Sequence, residues 1–252
     1  MTTPVAGDDT LDELTAVGLK ILQAKSGYRF SLDPVLLCAF ISSVKNSRVV
    51  DLGTGNGVIP FLLSSRKEAL SIIGVDIQQQ MIERARRSVE LNGLGESLQF
   101  VYADIRELHE VMCAGICDVV TANPPYRVES SGRNAANGER CIARHEIYGG
   151  LKDFLRAAAF LLNSGGRFYM VYLAERLPEL LAEMRCSKVE PKRLRLIHSR
   201  IDEPARMVLV EGRKNGNPGM RVEPSLIIYK GEGRDYSDEV LAMYATMAIS
   251  NQ

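Results

Sequence analysis

Arg48-Val49-Val50-Asp51-Leu52-Gly53-Thr54-Gly55-Asn56-Gly57 is the stretch whose reading decides the fold. A short β-branched run meets a loop in which every second residue is glycine, and Val58 to Arg66 then reads as a helix. Glycines at alternate positions let the backbone turn tightly and approach a ligand without Cβ clashes. The same strand–loop–helix grammar repeats downstream. Ser71 to Asp76, Leu98 to Tyr102, Cys117 to Ala122 and Arg167 to Leu173 are strand-like. Between them lie helix patterns at Gln78 to Leu91 (closed by Asn92-Gly93), Ile105 to Met112 and Leu151 to Leu162. Strands alternating with helices of this length imply right-handed βαβ units and a doubly wound, mainly parallel sheet.

Outside this block the pattern changes. Met1 to Thr10 is expected to fray, and Leu19 to Gln23 with Tyr28 to Ser31 reads as a β-hairpin. Asp33-Pro34 is expected to cap and open a helix that ends near Lys45-Asn46. After Leu173 a helix over Glu175 to Cys186 leads to strands at Lys192 to Ser199, Ala205 to Arg213 and Met220 to Tyr229. The turn Lys214 to Gly219 is expected to join the last two as an antiparallel hairpin on the sheet edge. Two parts follow, an N-terminal extension over residues 1–46 and a catalytic domain over 47–252. Arg127 to Tyr148 is a long segment without clear pattern, and such loops are more often functional than incidental.

Bulk properties exclude several classes. The chain has 252 residues with 31 basic and 31 acidic side chains, so no whole-protein field attracts a polyanion. Met184 to Lys230 nevertheless holds 11 Lys/Arg against 5 Asp/Glu, a local excess of six. The five cysteines, Cys38, Cys113, Cys117, Cys141 and Cys186, have no CxxC spacing and are expected to be reduced thiols. The three histidines are scattered, so no metal is expected. Met1 to Asp12 is polar and acidic, unlike a signal peptide, and no apolar run approaches the ~20 residues of a membrane span. A cytoplasmic protein is the expectation.

The ligand of the glycine loop can be argued from its charge. The spacing is GxGxG, and Asp51 opens it. A carboxylate there would repel a pyrophosphate but suits the ammonium of a methionine moiety, which favours S-adenosylmethionine over a dinucleotide. Gly53, Gly55, Asn56 and Gly57 line the same loop. Asp76, ending the next strand, can accept from both ribose hydroxyls, and Ile77 can pack on an adenine face. Asp104-Ile105, after the third strand, offers a carboxylate to the adenine amino group. Each aspartate alone would read as a helix cap; their recurrence at successive strand ends gives the pattern its meaning.

Asn123-Pro124-Pro125-Tyr126 follows the fourth strand. Prolines stop a strand, and two in succession stiffen the loop so that the Asn123 side chain and the Pro124 carbonyl can converge. An adenine or amide nitrogen is a poor nucleophile because its lone pair is delocalised. Two acceptors, one for each N–H, fix the planar amine and favour the geometry in which the lone pair is free to attack. Tyr126 supplies a flat face for a flipped base or another planar group. The reading is a methyl transfer to an exocyclic amine, with catalysis by positioning and electrostatics.

With these residues in hand, the order DLGTGNG, Asp76, Asp104, NPPY resembles the amino-group methyltransferases, a class I, Rossmann-like fold. Leu19 to Gln23, Gly27 to Leu37, Arg206 to Gly212 and Pro224 to Tyr229 are similar to the bacterial valine-tRNA adenine-N6 methyltransferase family. That resemblance implies an adenine beside the anticodon as substrate, and tRNA as partner. It also implies that Arg29, Phe30 and Asp33 sit over the methionine end of the cofactor. Pro125, Arg127, Arg133, Arg140 and Arg144 are candidate substrate contacts in and after the NPPY segment; Arg193, Arg195, Arg200, Arg213 and Lys214 are candidates in the C-terminal strands. Competing readings are a glutamine-N5 enzyme acting on protein, disfavoured by the short N-terminal segment, a DNA adenine or guanine-N2 enzyme, and a non-catalytic cofactor-binding scaffold.

Overall fold

A computed structural model describes residues 9–14, 17–25, 31–69, 71–124 and 149–249. Its centre is one mixed sheet. β3 (Arg48–Leu52), β4 (Ser71–Asp76), β5 (Leu98–Tyr102), β6 (Cys117–Ala122) and β7 (Leu162–Leu173) run parallel, and β9 (Ala205–Lys214) lies antiparallel between β7 and β8 (Val189–His198). The spatial order β8-β9-β7-β6-β3-β4-β5 reverses at β3. The crossovers from β3 to β4 to β5 therefore step one way and that from β6 to β7 the other. Right-handed connections then place α2 (Val58–Ser64) and α3 (Gln79–Asn92) on one face and α4 (Leu151–Leu161) on the opposite face. The break between β3 and β6 is the switch point where open α/β sheets bind ligands.

Helix character follows burial. α2 is covered on all sides: its residues Val58 to Leu63 are buried, and Pro60 lies in the first turn, where a missing N–H costs nothing. α3 is amphipathic, with Ile82, Ala85, Ser88 and Val89 turned inward, and Gly93 caps it in the left-handed conformation at φ 66°. α1 (Asp33–Phe40) packs on α2 and β7.

Several expectations are corrected. β2 (Leu19–Ala24) pairs with β1 (Asp9–Leu14), so Asp9 and Thr10 belong to an ordered strand, whereas Tyr28 to Phe30 of the expected hairpin lie outside the described residues. The reason lies far along the chain: Arg84 and Arg87 of α3 meet the Asp9 carboxylate at 2.8 and 2.7 Å. Burial alone would raise the Asp9 pKa, but the two guanidinium groups outweigh it and hold the carboxyl below its usual range. Ser88 and Asn92 of α3 accept the Leu22 and Lys20 amides, both at 2.9 Å.

Asp33 is the first residue of α1 and Leu32 its cap, without a side-chain capping bond, one position earlier than expected. The helix stops at Phe40, not near Asn46, because guanidinium groups take its last carbonyls: Arg66 those of Cys38 and Ile41, Arg193 that of Phe40. The helix expected over Ile105 to Met112 shrinks to a 3-10 turn at Leu108–Glu110. β7 starts at Leu162, directly after α4, and not at Arg167.

The C-terminal antiparallel hairpin is β8–β9. Met220 to Tyr229 does not return along β9, whose two edges are already taken by β7 and β8. It supplies instead two short pieces, β10 (Arg221–Val222) and β11 (Leu226–Ile227), parallel to β8 on its free edge. α5 (Leu177–Cys186) and α6 (Asp238–Ile249) complete the described elements. Among the described residues no helix is long and apolar enough to cross a membrane.

Candidate cofactor and methyl-transfer site

The glycine loop leaves β3 at the switch point. Gly53, Gly55 and Gly57 all have positive φ (66°, 57° and 84°), so each needs the freedom that only glycine has at no cost. They are not equivalent. A Cβ on Gly57 would run into the Phe100 ring, and one on Gly53 would lie 3.1 Å from the Phe154 ring, whereas one on Gly55 would point into open space. Gly53 and Gly57 are thus fixed by packing on the two faces of the sheet, and Gly55 keeps a clear approach to the backbone.

Asp76, the last residue of β4, holds the loop in shape. Its carboxylate accepts the Gly55 and Gln78 amides, each at 2.8 Å. It is 5% exposed, and burial raises its pKa despite those amide donors. Asp51 is buried more completely. Its Oδ1 accepts the Thr121 hydroxyl of β6 at 2.6 Å, and its Oδ2 has no partner among the described residues. Burial pushes its pKa up to about 7; the Thr121 donor opposes the shift and the neighbouring Asp76 carboxylate adds to it. Thr54 Oγ1 and Asn56 Oδ1 are likewise buried without partners among the described residues. These three polar atoms, on β3 and the loop that leaves it, and the Asp51 and Asp76 carboxylates, which make no ion pair among the described residues, form a site that wants hydrogen-bond donors and a positive charge. The ammonium and hydroxyl groups of S-adenosylmethionine answer both needs.

Asp104, expected to end the third strand, lies two residues beyond Tyr102, the last residue of β5, and its carboxylate engages Arg106, at 2.5 Å. That guanidinium holds the Asp104 carboxyl below its usual range. Ile77 is half-buried, and Ile105 is buried with its side chain against Gly149. Asn123 directly follows β6 and is half-buried; Pro124 beside it is buried. Because Asp51 and Thr121 are register partners, Asn123 lies two residues beyond the Asp51 contact, at the same end of the sheet as the glycine loop. Arg29, Phe30, Pro125, Tyr126, Arg127, Arg133, Arg140 and Arg144 lie outside the described residues. Asp33 is described, and its Oδ2 accepts the Ser31 hydroxyl at 2.8 Å.

With this geometry the comparisons are specific. A family model described as a methyltransferase domain matches residues 43–208. The chain belongs to this methyltransferase family. Its methyl donor is S-adenosylmethionine. The methyltransferase is 26% identical over 228 residues, 90% of its length and 93% of the relative's, to a tRNA1(Val) (adenine(37)-N6)-methyltransferase of Histophilus somni. It is 26% identical to a protein of the same name from Parabacteroides distasonis, covering 87% of this chain and 90% of that one. Among solved structures, a predicted O-methyltransferase of Agrobacterium tumefaciens aligns with TM-score 0.68 at 22% identity, over 86% of this chain and 97% of that one. A 16S rRNA N2 G1207 methyltransferase of T. thermophilus, solved with AdoMet and guanosine, aligns with TM-score 0.55 at 16% identity, over 82% of this chain and 50% of that one. These structural likenesses speak for the fold.

The C-terminal cations of the methyltransferase, expected as candidate substrate contacts, each engage groups of the chain itself. Arg193 lies 4.0 Å over the Phe40 ring and pairs with Glu211 at 2.9 Å. Arg195 donates to the Pro224 carbonyl and pairs with Glu239 at 2.5 Å. Arg200 donates to the carbonyls of Gly231, Glu232 and Gly233. Arg213 and Lys214 donate to the Gly165 and Leu162 carbonyls, and they end β9 beside the start of β7, at the opposite end of the sheet from Asn123. Arg213 nevertheless stays exposed, and Lys214 half-buried. Thr121 and Thr54 are what the motif reading missed. Strand register could have found Thr121, since the β6 run placed beside β3 sets it opposite Asp51.

Proposed function

We propose that the chain transfers a methyl group from S-adenosylmethionine to the exocyclic N6 amine of an adenine in RNA, with the anticodon-loop adenine of a valine tRNA as the leading candidate. The observation that carries the reading is the adjacency of Asn123-Pro124 to the Asp51 loop across the β3–β6 register. The similarity to adenine-N6 enzymes over about nine-tenths of the chain supports it.

In this account Asp51 meets the ammonium of the donor and Asp76 its ribose. Gly53, Gly55, Asn56 and Gly57 lie along it, Asp104, Ile77 and Ile105 bound the adenine, and Arg29, Phe30 and Asp33 cover the methionine end. The bound donor supplies an electrophilic methyl group on sulfur. Asn123 Oδ1 and the Pro124 carbonyl accept the two N–H groups of the target amine and aim its lone pair, and Tyr126 stacks on the base. No strong base is needed before transfer; the proton leaves the nitrogen afterwards. Pro125, Arg127, Arg133, Arg140 and Arg144 remain the candidates for RNA contact. Residues 1–46 serve as an extension to the catalytic part over 47–252.

The test uses labelled S-adenosylmethionine with unmodified total tRNA, DNA and a release-factor-like protein in separate reactions, followed by digestion and product identification. N6-methyladenosine from tRNA is expected. N5-methylglutamine without methyladenine would overturn the reading.

A further inference from the structure

Thr121 stands out because its role is local and unshared. It is fully buried in the middle of the sheet, opposite Asp51 in the β3–β6 register, and its hydroxyl donates to Asp51 Oδ1 at 2.6 Å. The other Asp51 oxygen has no partner among the described residues. A carboxylate can rotate about its Cβ–Cγ bond, and in a site that needs one oxygen aimed at a ligand, a fixed donor on the other oxygen removes that freedom. We infer that Thr121 is a positioning residue for the cofactor: its hydroxyl clamps Asp51 so that the free oxygen stays directed at the donor's ammonium. The inference rests on the reading that Asp51 meets that ammonium.

The surroundings leave few substitutes for the clamp. Thr54 also favours the ionised carboxyl, but its hydroxyl has no hydrogen-bond partner among the described residues. Among the described residues, the titratable groups facing Asp51 are Asp76 from β4 and Cys38 from α1. Asp76 repels the charge, and Cys38 is a buried thiol raised to about 12, so it stays neutral. The bond also joins the strand of the glycine loop to the strand that delivers Asn123 two residues later, so cofactor and acceptor groups share one rigid reference.

Two measurements on the full chain test this. The first is 13C NMR titration of the Asp51 carboxyl in ligand-free protein. The second is calorimetric S-adenosylmethionine affinity from pH 6 to 9. Thr121→Ser is expected to bind within about threefold of wild type, and Thr121→Val about tenfold more weakly, the range for a lost hydrogen bond to a charged group. Losing a donor to the charged form raises a carboxyl pKa, so Thr121→Val displaces both profiles to higher pH. The donor's own amine titrates alike for every variant, so the displacement between variants is the readout. Thr121→Cys keeps the volume with a weak donor and should fall between; it decides the question against Thr121→Ser if Thr121→Val does not fold. Equal affinity of the Val and Ser variants, or a uniform loss with no displacement, would overturn the inference. Asp51→Asn separates the two layers. Undiminished affinity there removes the ammonium reading itself; a loss there with none in Thr121→Val removes only the clamp.

Discussion

At the carboxyl ends of β3 and β4, Asp51 and Asp76 are buried close enough to repel each other, with no ion pair among the described residues. Along β8 and β9, Arg193, Arg195, Arg200, Arg213 and Lys214 each meet a carbonyl or a carboxylate of the chain itself. Both regions are charge-rich in the sequence, but they differ in setting: Asp51 Oδ2 is buried without a partner among the described residues, whereas the cations of the strands each have one. A buried carboxylate without a cation costs several kcal/mol unless it is neutralised or a ligand compensates it, which is the physical ground for the proposal that Asp51 meets a cationic ligand. A guanidinium closing the carbonyls of α1 is part of the architecture.

The comparison can be broken at three levels. The largest expected effect is at the reaction end. Asn123→Ala should lower the rate of methyl transfer roughly a hundred- to a thousandfold, the usual loss on removing one oriented polar group. S-adenosylmethionine affinity should stay within about threefold. Single-turnover kinetics beside calorimetry checks this; collapse of affinity with near-normal turnover would assign Asn123 to the cofactor.

The middle effect is at Asp51. Its folded pKa of about 7 exceeds the ~3.9 of an unfolded aspartate. The folded state therefore holds the extra proton, and the stabilisation relative to an ionised carboxyl is complete below about pH 4 and lost as pH rises through about 7. Ligand-free Asp51→Asn should gain on wild type in thermal stability across that window, while losing cofactor affinity at alkaline pH. A constant stability difference between pH 4 and 8 would mean that Asp51 titrates normally.

The smallest effect belongs to the strands. Arg213→Ala with Lys214→Ala should change tRNA affinity less than about twofold and leave the slope of binding against salt unaltered, since each true phosphate contact contributes about one to that slope. A slope reduced by two would restore these side chains to the RNA interface.

What was legible in the sequence follows from how local its causes are. β3 to β6, the glycine loop and the Gly93 stop stand where the pattern puts them, because burial and glycine conformation act over a few residues. The partner of β2 was not legible, since Asp9 is held by arginines about 75 residues away. The course of Met220 to Tyr229 depended on which sheet edges were already occupied. The three aspartates at or just after strand ends were legible as positions, whereas the ion pair of Asp104 with Arg106 and the Asp51 oxygen left without a partner among the described residues depend on side-chain packing that no local pattern encodes.

The most direct test of the central claim is mass-spectrometric nucleoside mapping of valine tRNA incubated with S-adenosylmethionine and either the wild-type chain or Asn123→Ala. One methyl group on N6 of the adenine beside the anticodon, present with wild type and absent with the variant, is the predicted result. A methyl group on another base, or equal modification by both proteins, would contradict it.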